Sequence, residues 1–91
     1  MKITQTSSFH RKYKKLHRNQ RLLINAAIEE IIESPSIGAQ KKGDLGTIRV
    51  HKKRKGDIEF LIAYWSTKSS IELIDMGSHE NFYRELKRNL P

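Results

Sequence analysis

No cysteine occurs among the 91 residues, which excludes a disulfide framework and a thiolate metal site. That absence suits a reducing compartment, and a cytoplasmic location is expected. Long hydrophobic runs are missing too: the longest unbroken apolar stretch, Phe60 to Trp65, falls far short of the roughly 20 residues that cross a bilayer. The N-terminus has no apolar signal segment, so neither secretion nor membrane insertion is expected. There is no Walker loop, no GxGxxG, no HExxH and no serine in a nucleophile elbow. His10, His17, His51 and His79 show no His-x₃-His spacing and have no cysteine to support them, so no metal and no cofactor are expected. With no internal repeat or flexible linker, residues 1–91 read as a single small domain.

Acidic residues are scarce where basic ones gather. The chain holds 18 Lys and Arg against 10 Asp and Glu, a net charge of +8 with histidine neutral. Residues 1–18 contain six basic groups (Lys2, Arg11, Lys12, Lys14, Lys15, Arg18) and no acid, and residues 41–55 contain seven against the single Asp44. Two such clusters suit a polyphosphate partner, because each neutralised phosphate releases counterions. The plainer alternative is a solvated basic surface.

Hydrophobic spacing supplies the elements. Lys2 to Thr6 reads as a short strand anchored by Ile3, with Ser7 or Ser8 as helix N-cap. Phe9, Tyr13 and Leu16 then form one stripe of a short helix. A second helix is expected from about Asn19 to Glu33, where Leu23, Ile24, Ala27, Ile28, Ile31 and Ile32 give a broad apolar face, and Ser34-Pro35 stops it. Ser36 to Gly46 reads as a loop. Thr47 to Lys52 alternates as a strand, Lys52 to Asp57 as a hairpin connection, Ile58 to Trp65 as the strongest strand, and Ile71 to Met76 as its successor. Ser78 would cap a last helix from His79 to about Asn89, with Phe82, Tyr83, Leu86 and Leu90 facing inward. The order is β-α-α-β-β-β-α, an α+β fold.

Arg49 and His51 share a face of their strand by parity. Glu59 opens the next strand, His79 starts the last helix, and Tyr83 lies one turn beyond it. If the three strands are neighbours, these groups converge at one end of the sheet. RNA cleavage by its own 2′-hydroxyl needs a proton acceptor at that oxygen, a donor at the leaving 5′-oxygen and cations around the phosphate. Glu59, His79, Arg49 and His51 supply those types without a metal, and the ring of Tyr83 would stack on a base. Each also has an ordinary alternative: an exposed histidine, a cross-strand ion pair at Glu59, a packed tyrosine. Trp65 reads as a core or partner-contact residue.

The segment Asp75-Met76-Gly77-Ser78-His79-Glu80-Asn81-Phe82-Tyr83-Arg84-Glu85-Leu86-Lys87-Arg88 resembles the C-terminal signature of the RelE/ParE superfamily of bacterial toxins. Phe9 to Leu16 (F-x-x-x-Y-K-K-L), the Glu33-Ser34-Pro35 helix end and the basic strand near Arg49 are similar to the same family in the same order. The resemblance implies a RelE-like fold, with two N-terminal helices packed on a mostly antiparallel sheet and a C-terminal helix. It also implies an antitoxin partner made from the same operon. Gly77-Ser78-His79 with Tyr83 matches the G-[ST]-H-x-x-x-[FY] ending of the YafQ-like branch. That branch implies His79 as catalytic histidine and Tyr83 as the aromatic beside it. His51, and Glu59 with Tyr64 five residues on, match its other positions, although the Lys-Arg-Lys stretch lengthens the gap between His51 and Glu59. RelE itself uses lysines and arginines, to which Arg49 would correspond.

The resulting expectation is a ribosome-dependent endoribonuclease cutting mRNA in the A site. Glu59 would act as general base and His79 as general acid, with exchange of these two roles as the alternative, while Arg49, His51 and Arg54 would stabilise phosphate charge. Lys12, Lys15, Lys52, Lys53, Arg54 and Lys55 would grip ribosomal RNA. Two rivals stand beside it: a ParE-like inhibitor of DNA gyrase, and a non-catalytic RNA-binding module.

Overall fold

A computed structural model describes residues 1–40 and 48–78, together with Phe82 and Leu86. The elements are β1 (Lys2–Gln5), α1 (Ser7–Lys14), α2 (Arg18–Glu33), β2 (Ala39–Gln40), β3 (Arg49–Lys55), β4 (Ile58–Ser66) and β5 (Ser70–Gly77). They build one five-stranded sheet in the order β1-β5-β4-β3-β2. All neighbours are antiparallel except β1, which runs parallel to β5 with Lys2 opposite Ser70 and Gln5 opposite Leu73.

The sheet has a core on each face. On one side α1 and α2 bring Phe9, Leu23, Ile24, Ala27 and Ile31 against Phe60, Ile62, Tyr64, Ile71, Leu73 and Met76. On the other, Phe82 and Leu86, both helical, are buried with Ile48, Val50, Leu61, Ala63 and Ile74, and Trp65 packs at the margin. Two buried faces explain why β4 reads as an unbroken apolar run, since no side of that central strand meets water. The expected last helix otherwise lies outside the described residues, as do Tyr83 and Leu90.

Several local expectations need correction. Thr6, not Ser7 or Ser8, caps α1: its hydroxyl accepts from the Phe9 N–H at 3.1 Å and donates to the Ile74 carbonyl at 2.6 Å. That second bond joins the cap to β5 and favours Thr6 over its neighbours. Helix α2 begins at Arg18, where the Gln20 side chain reaches back to the His17 N–H at 2.8 Å. Ile3 and Ile32 are both 39% exposed and anchor no core. Ala39–Gln40 pair with Val50 and Arg49 inside what was read as loop. Finally β3 runs on through Lys52–Lys55, and the hairpin turn is only Gly56-Asp57. Gly56 takes φ +61°, the left-handed value that a two-residue hairpin needs at its first position.

Candidate active site and basic surface

The β3–β4 register decides which side chains meet. Opposed residues share a face, so Arg49, His51 and Lys53 lie with Tyr64, Ile62 and Phe60 on the side of α1 and α2. Lys52 and Arg54 lie with Leu61 and Glu59 on the side of Phe82 and Leu86. Arg49 and His51 therefore share a face as expected, but Glu59 occupies the opposite one. The expected convergence of these three groups does not occur.

On the helix side each polar group has a partner. The His51 Nε2 lies 3.0 Å from Glu30 Oε1, and Lys53 Nζ donates to Glu30 Oε2 at 2.8 Å. The hydrogen bond from His51, then that from Lys53, holds the Glu30 carboxyl below its ordinary pKa. Arg49 donates to the carbonyls of Gly38 at 2.8 Å and Ser36 at 3.3 Å. Beside it the buried Tyr64 hydroxyl donates to the Pro35 carbonyl at 2.7 Å and accepts from the Gly38 N–H at 2.9 Å. Burial pushes the Tyr64 phenol up. These bonds fasten the chain after α2 onto β3 and β4, so the Glu33-Ser34-Pro35 helix end is gripped from below.

On the second face Lys52 and Arg54 are exposed and Glu59 is half-buried. Arg54 Nε donates to the Gly56 carbonyl at 3.1 Å. The Glu59 carboxylate makes no hydrogen bond or ion pair among the described residues. Because Gly77 opposes Leu61, the end of β5 reaches β4 two residues from Glu59. His79 and Tyr83 lie outside the described residues. A carboxylate beside two cations is of the chemical type that accepts a proton next to a phosphate. Among the described residues no three His, Asp or Glu side chains gather as a metal site would require.

The sequence reading missed Glu30 and the pair formed by Lys12 and Asp75. Asp75 is completely buried, accepting from Lys12 Nζ at 2.7 Å and from the Met76 N–H at 2.8 Å. An acid between Ile74 and Met76 in an otherwise apolar strand was the available signal, since such a group must find a partner inside. Lys12, expected to grip RNA, thus holds α1 to β5, and Lys53 is engaged by Glu30. Lys15, Lys52, Arg54 and Lys55 remain exposed.

Known proteins show the same plan. The family of ParE-like toxins of type II bacterial toxin-antitoxin systems matches residues 3–87. This chain belongs to that family. An E. coli RelE toxin mutant in the free state superposes with a TM-score of 0.73 at 18% identity, covering 97% of this chain and 90% of that one. The intact E. coli RelBE toxin-antitoxin complex gives 0.67 at 20% identity, covering 87% and 96%. The ParE-like toxin chain is thus a RelE-like α+β fold, with two helices packed on a mostly antiparallel sheet. No curated protein sequence matches it. No helix among its described residues is long and apolar enough to cross a membrane.

Proposed function

We propose that this toxin is a cytoplasmic endoribonuclease that cuts mRNA in the ribosomal A site and is neutralised by a cognate antitoxin. One observation carries the reading: the Glu59 carboxylate, without a partner among the described residues, lies on the same sheet face as the exposed Lys52 and Arg54, near the end of β5. Glu59 would take the 2′-hydroxyl proton as that oxygen attacks phosphorus. His79, the histidine implied by the family signature, would return a proton to the leaving 5′-oxygen. Lys52 and Arg54 would offset charge on the phosphate, and Tyr83 would stack on a base. In this reading Arg49 and His51 serve the scaffold, because Arg49 Nη1 and His51 Nε2 are engaged on the other face.

The ParE-like gyrase inhibitor is the second reading. It is favoured by the ParE-like family match and by the scaffold role of His51, whose presence therefore does not mark a ribonuclease. Primer extension on a defined mRNA, with and without ribosomes, separates the two. The expected result is ribosome-dependent cutting that falls at least about 100-fold in His79→Ala and in Glu59→Gln. Undiminished cutting in both variants would reject the site, while loss of gyrase supercoiling without mRNA cuts would support the second reading.

A further inference from the structure

Helix α2 packs on the sheet through Leu23, Ile24, Ala27 and Ile31. Half a revolution away lies a second stripe, Arg18, Leu22, Asn25, Glu29 and Ile32, all exposed. Its steps of four, three, four and three residues are those of a helix-pairing seam. Leu22 is 56% exposed and Ile32 39%, so two large aliphatic groups of this stripe face water. Charge along the helix is ordered as well. The basic residues, Arg18 and Arg21, are in the first half, and the acids, Glu29, Glu30 and Glu33, are in the second. That order opposes the helix dipole, which favours acids at the N-terminus and bases at the C-terminus. Glu30 is engaged by His51 and Lys53, whereas Glu29 and Glu33 are exposed and have no partner among the described residues.

We propose that this outward face of α2 binds the same face of a second copy of the chain, with the two helices antiparallel about a two-fold axis at Asn25. Such a pairing sets Arg21 against the partner's Glu29, Leu22 against the partner's Ile28, and Arg18 against the partner's Ile32 and Glu33, each contact occurring twice. The two dipoles then oppose, and each charge gains the opposite neighbour that its own helix end denies it. Arg21 donates from Nη2 to the Lys14 carbonyl at 2.7 Å and keeps its other N–H groups for a carboxylate. Asn25, whose Oδ1 accepts from the Tyr13 hydroxyl at 2.7 Å, is the polar residue on the axis that fixes register. A uniformly acidic or uniformly basic partner would match one half of the helix and clash with the other. Two chains at +8 repel at a distance, but physiological salt screens that repulsion beyond about 8 Å, whereas the arginine and glutamate pairs meet in contact. One helix pair is a small interface, so micromolar affinity is expected. Because α2 covers the sheet face opposite Glu59, Lys52 and Arg54, the dimer leaves both copies of that face open.

Sedimentation equilibrium of the full chain, from low to high micromolar concentration, should show a monomer–dimer equilibrium. Arg21→Glu and Glu29→Arg should each weaken it at least about tenfold, since like charges then oppose on both sides of the axis. Mixing the two variants in equal amounts should restore wild-type association, because each supplies the charge that the other needs. The chain has no cysteine of its own, so Asn25→Cys should give a disulfide-linked dimer under mild oxidation. A chain that stays monomeric throughout overturns the proposal, and so does a dimer indifferent to both charge reversals. Weakening by each variant without recovery on mixing, or a dimer that Asn25→Cys leaves unlinked, overturns the antiparallel arrangement. A monomeric chain whose α2 amides gain hydrogen-exchange protection only when the operon's antitoxin is added would give this face to that protein and overturn the proposal.

Discussion

At Gly38 the space available is smaller than a methyl group. A Cβ there would stand 2.7 Å from the Tyr64 hydroxyl, 2.8 Å from its ring and 3.1 Å from Arg49 Cβ. Tyr64 is fully buried and cannot yield outward, so Gly38→Ala should cost about 1–3 kcal/mol, measured by urea denaturation. Glu30 supplies a pH dependence. Its folded-state pKa lies below the unfolded value of 4.5, so the stability it contributes is present above that pH and lost as pH falls through the folded value. Glu30→Gln should therefore lower the urea midpoint at neutral pH and flatten its decline as pH falls below 4.5, a modest effect for a side chain 36% exposed. A variant with the wild-type acid limb would remove Glu30 from the linkage. Alternation alone put Arg49 and His51 together, since parity within one strand follows from sequence. The side taken by Glu59 depended on where the hairpin turned. A turn read loosely over Lys52 to Asp57 leaves parity open, whereas the observed two-residue turn fixes it.

Helix α1 is secured to β5 at two points, the Thr6 hydroxyl on Ile74 and the Lys12 ammonium on Asp75. The buried carboxylate loses this cation in Lys12→Met, which should cost about 1–3 kcal/mol. Adding Asp75→Asn should recover part of that loss, because the charge needing compensation is then gone. Equal stability of the single and double variants would make the contact incidental. The elements themselves were legible where periodicity was long: both N-terminal helices, β4 and β5 emerged within a few residues of their observed bounds. Ala39–Gln40 did not, because two residues carry no period. The cap was ambiguous for a different reason. Thr6, Ser7 and Ser8 all have a suitable hydroxyl, and only the position of Ile74 across the fold selects among them.

For the whole molecule, the excess of positive charge predicts salt-dependent association with ribosomes or RNA. Lys52 and Lys55 are exposed, so replacing both by Ala should lower the slope of log K against log salt by roughly 1.5. Lys12→Met should leave that slope nearly unchanged, because its ammonium is occupied internally. A slope insensitive to the Lys52 and Lys55 pair would remove the hairpin from the interface. The parallel pairing of β1 with β5 has a consequence in time. Synthesis delivers Lys2–Gln5 among the first residues, but their partners Ser70–Leu73 follow some four-fifths of the way along the chain. The first strand must wait, unpaired, for almost the whole polypeptide to leave the exit tunnel. A half-made chain is thus not yet this fold, and whatever the toxin acts on is spared until β5 emerges.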